Sequence, residues 1–154
     1  MERTLILFKP DVLQRAILGE IIARFERKGL KIVGLKMLKM NTATAKEHYA
    51  HLTSKPFYPG LEKFMTHHPI VAMVVEGVEA VEVGRKLAGA TNARKAEAGT
   101  IRGDFSNSTS RNVIHAADSL EMAQKEIARF FKKEELFEYP LVLHEYFYAE
   151  DELK

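Results

Sequence analysis

The chain has 154 residues, 46% of them apolar, and its 23 Lys and Arg against 21 Asp and Glu leave a net charge of +2. That length suits one domain, which buries roughly two-thirds of its unfolded surface, and so slight a positive balance gives no bulk attraction to nucleic acid or to a membrane surface. Cysteine is absent, which removes disulfides and thiolate metal sites.

The N-terminus runs straight into a short apolar segment, Thr4-Leu5-Ile6-Leu7-Phe8, too brief for a signal sequence or a membrane span. A cytoplasmic protein is the expectation. The same run reads as a central strand covered on both sides, ended by Lys9-Pro10-Asp11. A lysine directly after a buried strand either snorkels to the surface or points a charge into a cleft; by itself Lys9 reads as the former. Leu18, Ile21, Ile22 and Phe25 follow helical spacing up to Gly29.

Leu30 to Met40 alternates, with Val33, Leu35 and Met37 on one face and Ile32, Leu38 and Met40 on the other, and reads as a long strand. Thr44-Ala45-Lys46-Glu47 has the form of a capping box opening a helix that carries His48, Tyr49 and Leu52. His48 and His51 lie one helical turn apart, but no third ligand stands at useful spacing, so a solvated pair is expected. Pro56 to Gly60 reads as a turn exposing Phe57 and Tyr58. Leu61 to His67 reads as a short helix, with His67 and His68 facing solvent.

Ile70 to Val75 is a second buried strand. Val78, Val81, Val83, Leu87 and Ala88 predict a helix ending near Gly89. Ala90 to Ser110 has little periodicity, the mark of a functional or mobile loop. Val113-Ile114 then delivers His115, followed by a helix that starts at Asp118 or Ser119 and runs to Lys132 with Leu120, Ala123, Ile127, Phe130 and Phe131 on one face. The aromatic tail from Leu136 onward packs on something, and composition hints at disorder only over 150–154. Two strand-helix-strand units predict a ferredoxin-like α/β (α+β) sandwich: a four-stranded antiparallel sheet, helices on one face and further flanking helices inserted.

One histidine at a strand end, with scattered Lys9, Arg85 and Arg102 and the neutral donors Thr91, Asn112 and Tyr49, suits a triphosphate substrate. Arginines clamp phosphate oxygens, and neighbouring cations keep an imidazole neutral and nucleophilic. No G-x-x-x-x-G-K-[ST] or G-x-G-x-x-G loop is present. The wording is more specific. Asn112-Val113-Ile114-His115-Ala116-Ala117-Asp118 resembles the N-x-x-H-[GA]-S-D signature of nucleoside diphosphate kinases. Lys9-Pro10-Asp11, His48-Tyr49, Pro56-Phe57, Ala90-Thr91-Asn92 and Gly99-Thr100-Ile101-Arg102-Gly103-Asp104-Phe105 are similar to that family too, in order, from about Glu2 to Tyr139.

The resemblance implies that His115 carries the γ-phosphoryl group from one nucleotide to another in a ping-pong cycle, with Tyr49 and Glu126 orienting it. It implies that Lys9 and Arg102 hold the terminal phosphate and Arg85 and Thr91 the inner ones, and that Asn112 and Lys9 meet the sugar 3′-hydroxyl. Phe57 would stack on the base with Leu61 beside it and Thr109 opposite, and stacking reads no base edge, so base specificity is low. Mg2+ is expected to arrive on the nucleotide phosphates, with no protein ligand cage.

One domain over 1–154 follows, with 136–154 as an extension packing on it or on a neighbouring subunit. The expected partners are nucleoside di- and triphosphates, without membrane or nucleic acid. A homohexamer is expected because the tail can cover neighbours; a homotetramer is the alternative. Ala117 departs from the family's serine, Val12 and Ala16 from its glycines, and Ala93 from its loop proline. An active enzyme, less stable or slower than its relatives, is expected, with Glu126 satisfied by something other than that serine. A nucleotide-binding module without catalysis, or an interaction protein with a vestigial site, are the rival readings.

Overall fold

The computed structural model describes residues 1–153. Among these, four strands form one antiparallel sheet, β1 (Glu2–Phe8), β2 (Lys31–Leu38), β3 (Ile70–Gly77) and β4 (Ile114–Ala116), in the order β2-β3-β1-β4. β1 pairs with β3 from Glu2↔Gly77 to Phe8↔Val71, and with β4 through Leu7↔His115. The ferredoxin-like sheet is therefore as expected. No helix among the described residues is long and apolar enough to cross a membrane.

Helices cover both faces rather than one. The reason is written in β1: Ile6 and Phe8 point to one cluster, Leu5 and Leu7 to the other, and all four are fully buried. On the first face, α1 (Pro10–Gln14), α2 (Leu18–Arg27) and α5 (Ala80–Ala88) contribute Val12, Ile21, Phe25 and Ala88. On the second face α3 (Thr42–His48), α4 (Tyr58–His67) and α7 (Leu120–Phe130) contribute Ala45, Met65 and Phe130.

Several boundaries differ from the sequence expectation. The cap of α3 is Asn41, whose side chain accepts from the Thr44 backbone N–H at 2.8 Å, so Thr44 lies inside the first turn instead of opening it. α4 begins at Tyr58 because Pro59 fits a first helical turn. Lys9-Pro10-Asp11 does end β1, but Pro10 at once opens α1. Ser119 caps α7, accepting from Met122 N–H at 3.2 Å. In β2 a bulge between Ile32 and Gly34 breaks the alternation: Val33 is buried, while Leu35 and Met37 are exposed on the edge strand.

The long loop carries structure of its own. Asn92 caps a single 3₁₀ turn at Ala93–Lys95, and Thr100 caps α6 (Ile101–Phe105) by accepting from Gly103 N–H. Asp104 accepts from Gly99 N–H and pairs with Arg24, whose guanidinium also lies over the Phe105 ring. The tail packs on its own chain: Phe137 N–H donates to Val33, the Tyr139 hydroxyl to Ile32 at 2.6 Å, and the Tyr148 hydroxyl to Gly29. Phe137, Val142, Leu143 and Tyr146 nonetheless remain exposed. At Ala149 to Leu153 the chain turns, with Glu152 accepting from Ala149 N–H, and Lys154 lies outside the described residues.

Ala16 takes φ +55° at an exposed position between α1 and α2. A left-handed backbone costs an L-residue about 1–2 kcal/mol, and no buried contact of the methyl group offsets it. Ala16→Gly is therefore expected to raise the urea midpoint, with a gain of about 1 kcal/mol, since the extra unfolded-state entropy of glycine takes back part of the relief. An unchanged or lower midpoint would remove backbone strain as a feature of this turn.

Candidate active site

His115 sits in β4 opposite Leu7, in a strand of three residues, so its ring faces away from its neighbours Ile114 and Ala116, which are buried in the sheet. The approach to it is strained. Val113, buried and β-branched, adopts φ +63°. Two bonds hold it there: its N–H donates to Asp11 Oδ2 at 3.2 Å, and its carbonyl accepts from Lys9 N–H at 2.8 Å. The end of β1 thus pins the strand that presents the histidine. Asp11 and Val113 were not singled out in the sequence; Asp11 directly follows Lys9-Pro10 in the matched motif, which is the only trace of its task.

Around the imidazole lie three cations and two carboxylates, Glu126 in contact with it and Asp118 nearby. Nε2 of His115 is 2.8 and 3.0 Å from the two oxygens of Glu126, which α7 folds back over the ring. The carboxylate therefore meets the histidine directly. The methyl group of Ala117, fully buried beside it, leaves no hydroxyl to share that bond. Burial pushes the His115 pKa well below its ordinary value near 6.5, and Lys9, Arg102 and Arg85 push it further. Burial likewise raises the Glu126 carboxyl. The resulting state is a neutral ring whose Nε2–H donates to a carboxylate and whose Nδ1 carries the lone pair.

Lys9 is buried, contrary to its reading as a surface lysine, and its Nζ donates to Asn112 Oδ1 at 2.5 Å. Burial and Arg102 lower its pKa to about 8, while Asp11 opposes them. Asn112 is oriented by both ends, because its Nδ2 donates to the Thr91 carbonyl at 2.8 Å. Arg102, also buried, donates to the carbonyls of Gly89, Ile114 and Asn112, at 2.7, 2.8 and 3.4 Å, so it braces the histidine strand as well as charging the site. Gly89 makes this reach possible: φ is +81° there, and a Cβ would collide with Thr100. Arg85, exposed on α5, donates to the Ala116 carbonyl at 3.4 Å.

The remaining predicted residues lie outside that bonded group. Phe57 and Thr109 are exposed, Thr91 is exposed beside Asn112, and Leu61 is half-buried at the edge of the second core cluster. None of these four makes a recorded side-chain bond to the histidine group. Tyr49 is buried, but its hydroxyl has no partner; its ring packs at 4.6 Å on His48, whose ring packs at 4.6 Å on His115. Tyr49 therefore reaches the histidine through His48, and the hydrogen bond that would orient His115 comes from Glu126.

His48 corrects the picture of a solvated His48–His51 pair. It is buried, His51 is exposed, and the ligand atoms of His48, His115 and Glu126 lie within 4.8 Å of one another. His51 takes no part in that group, and the two residues that join His48 come from β4 and α7, distant in sequence. A cavity of about 960 Å³ includes Arg85, Gly89 and Asp118 at the edge of the group, and another of about 1020 Å³ runs between α4 and α6 past Arg15, Lys63 and Arg111.

A family model described as Nucleoside diphosphate kinase matches residues 2–136. The chain belongs to the nucleoside diphosphate kinase family. A nucleoside diphosphate kinase of Pyrococcus horikoshii is 55% identical over 142 residues, 90% of each chain. One of Rhodopirellula baltica is 47% identical over 152 residues, covering 99% of this chain and 100% of that one. Among solved structures, a halophilic nucleoside diphosphate kinase from Halobacterium salinarum in complex with CDP superposes with a TM-score of 0.94 at 43% identity, over 96% of this chain and 99% of that one. In a nucleoside diphosphate kinase, the cation-ringed neutral imidazole described above is a ready acceptor for phosphorus.

Two tests follow from the geometry. Asp11→Ala leaves the Val113 N–H without its partner and should lower stability by about 1–3 kcal/mol; no loss in urea unfolding would remove Asp11 as the brace of the strand. The sign of the pH response comes from the histidines. Folded pKa values of His115 and His48 both lie below the unfolded value of about 6.5. Their neutral burial is therefore fully compatible with folding above pH 6.5, and stability falls as pH drops below it. Replacing His48 with Gln should flatten that acid slope in pH-dependent melting, and an unchanged slope would contradict the assignment.

Proposed function

We propose that this chain, a nucleoside diphosphate kinase, moves the γ-phosphoryl group of a nucleoside triphosphate, mainly ATP, to other nucleoside diphosphates through His115. The observation that carries this is the contact of Nε2 with both Glu126 oxygens, at 2.8 and 3.0 Å: a ring proton on Nε2 satisfies that carboxylate and leaves Nδ1 as the nucleophile. In the first half-reaction the Nδ1 lone pair attacks the γ-phosphorus, and the bond from that phosphorus to the β,γ-bridging oxygen breaks. The diphosphate leaves with that oxygen. The ring becomes a cationic phosphoimidazole whose Nε2–H stays on Glu126, and the carboxylate balances the new positive charge. The second half-reaction reverses these steps with a different diphosphate.

Lys9 and Arg102 hold the terminal phosphate, while Arg85 and Thr91 hold the inner ones. Asn112 meets the sugar 3′-hydroxyl. Phe57, which is exposed, offers a ring face to any base, with Leu61 and Thr109 flanking it. Tyr49 supports the histidine through the His48 ring. Mg2+ fits this donor set as a passenger: the phosphate side of the group is built of cations, Glu126 is engaged with His115, and a hard ion there takes oxygens from the nucleotide and water. When bound, it neutralises phosphate charge and fixes the geometry of the chain of phosphates.

The protein works in the cytoplasm as a homo-oligomer, a hexamer in preference to a tetramer. Exposed Leu35 and Met37 on the edge strand and the exposed side chains of 136–153 support association. The domain spans 1–154, with 136–154 as its extension.

The test is incubation with γ-labelled ATP and Mg2+. An acid-labile, base-stable label that chases onto added GDP is expected, and His115→Gln should abolish it. Nucleotide binding without label would instead make the chain a binding module. Labelling should persist undiminished as pH falls through 6.5, where a free imidazole loses half its nucleophile; affinity for nucleotide should decline above about pH 8, where free Lys9 loses its charge. An acid limb centred at 6.5 would mean that neither burial nor the cations keep His115 neutral. Ala117→Ser tests the departure from the motif: higher activity or melting temperature is expected, and no change in either would make the missing hydroxyl irrelevant.

A further inference from the structure

His48 touches no substrate in the reaction above and serves there only to pack Tyr49 onto His115, yet its surroundings are unusual for a buried histidine. Its Nε2 has no hydrogen-bond partner, and its Nδ1 has only a long contact of 3.4 Å with Arg129. The same Nδ1 is 3.9 Å from Glu126 Oε1, and the other carboxylate oxygen is 2.8 Å from His115 Nε2. Two imidazoles and one carboxylate thus converge from β4, α3 and α7, with their ligand atoms within 4.8 Å of one another.

We propose that His48, His115 and Glu126 form a site for a borderline-soft divalent transition ion such as Zn2+, and that filling it silences the phosphoryl acceptor. Two nitrogens and a carboxylate oxygen are the ligand set of an open tetrahedral site. With metal–ligand bonds of about 2.0–2.2 Å, ligand atoms stand roughly 3.4 Å apart. From the single carboxylate oxygen Oε1, His115 Nε2 stands at 3.0 Å and His48 Nδ1 at 3.9 Å, distances that bracket that edge, so small side-chain rotations in opposite senses bring them to it. The His115 side chain is 23% exposed while those of His48 and Glu126 are covered, so an ion enters the group past the His115 ring. Burial keeps both imidazoles neutral, so neither proton must be displaced by acid–base work at neutral pH. Mg2+ prefers oxygen ligands and does not compete here.

Charges around the site set its strength. Arg129 faces His48, His51 lies nearby, and Lys9, Arg102 and Arg85 face His115; all oppose a cation, whereas Glu126 and Asp118 favour it. The chemical consequence is a change of tautomer. To ligate the ion, Nε2 of His115 gives up its hydrogen, and the neutral ring carries that proton on Nδ1 instead. The lone pair that would attack phosphorus is then gone, although the ring is neither charged nor displaced. This inhibitory consequence rests on His115 being the phosphoryl acceptor; the binding itself does not.

The experiment uses the intact, nucleotide-free chain titrated with Zn2+ against a chelating dye, and with Co2+ read by its visible absorption. Loss of affinity by at least about tenfold is expected for His48→Gln and for Glu126→Gln, and tighter binding for Arg129→Gln. The double change His67→Gln with His68→Gln should leave it intact. His48→Asn serves if His48→Gln does not fold. Phosphohistidine formation from γ-labelled ATP should fall as free Zn2+ rises, and in the His48 variant at least about tenfold more Zn2+ should be needed for the same fractional loss. Unchanged Zn2+ affinity in the His48 variants, or loss only in the His67 and His68 double variant, overturns the site. Absence of phosphohistidine in zinc-free Mg2+ buffer would instead overturn the catalytic reading, and the titrations would still decide the metal site.

Discussion

The bond between Glu126 and Nε2 of His115 is the interaction on which the rest of this structure turns. A carboxylate taken out of water is unfavourable unless hydrogen-bonded, and an imidazole N–H donating at 2.8 Å meets that need. In return the carboxylate chooses which ring nitrogen keeps its lone pair. The two groups come from separate elements, so the bond also fixes how α7 lies across the end of β4. Burial first, and then the charges of Lys9, Arg102 and Arg85, hold the ring neutral despite the same carboxylate. The outcome is an imidazole that is basic enough to attack, yet uncharged before it does so.

Backbone geometry maintains that balance. The left-handed Val113 stays in place only because the Lys9 and Asp11 segment supplies both of its hydrogen bonds. Arg102 braces three carbonyls around the same strand, and Gly89 lets it approach. Strain and positive charge are thus concentrated where substrate charge would relieve them, a common property of reactive sites. The two buried faces of the sheet make this affordable: β1 is packed on both sides, so its C-terminal end is a rigid platform for Lys9 and Asp11.

The family resemblance was legible because the histidine motif and its upstream loop are contiguous in the chain, and the matching landmarks recur in order. The strands were legible where apolar runs are continuous, as in Leu5 to Phe8 and Ile70 to Val75. Helix starts were less so. Thr44 and Asn41 both carry capping side chains, and only the path of the chain into α3 decides between them. Helices on both faces agree with the unbroken apolar run of β1, which reads as covered on both sides, and it is the ferredoxin-like layout of helices on one face that the packing of α3, α4 and α7 extends.

Local sequence by itself determined the strand order of events along the chain, the histidine at a strand end, and the family of its motif, since each depends on neighbours within a few residues. Tertiary structure alone decided the rest. Lys9 became a buried cation because Asn112, more than a hundred residues away, accepts a hydrogen bond from its ammonium group. His48 became a neighbour of His115, and Glu126 its partner, because three elements meet at one end of the sheet. Burial and charge at a point are sums over every group that packs there, and no window of sequence contains that sum.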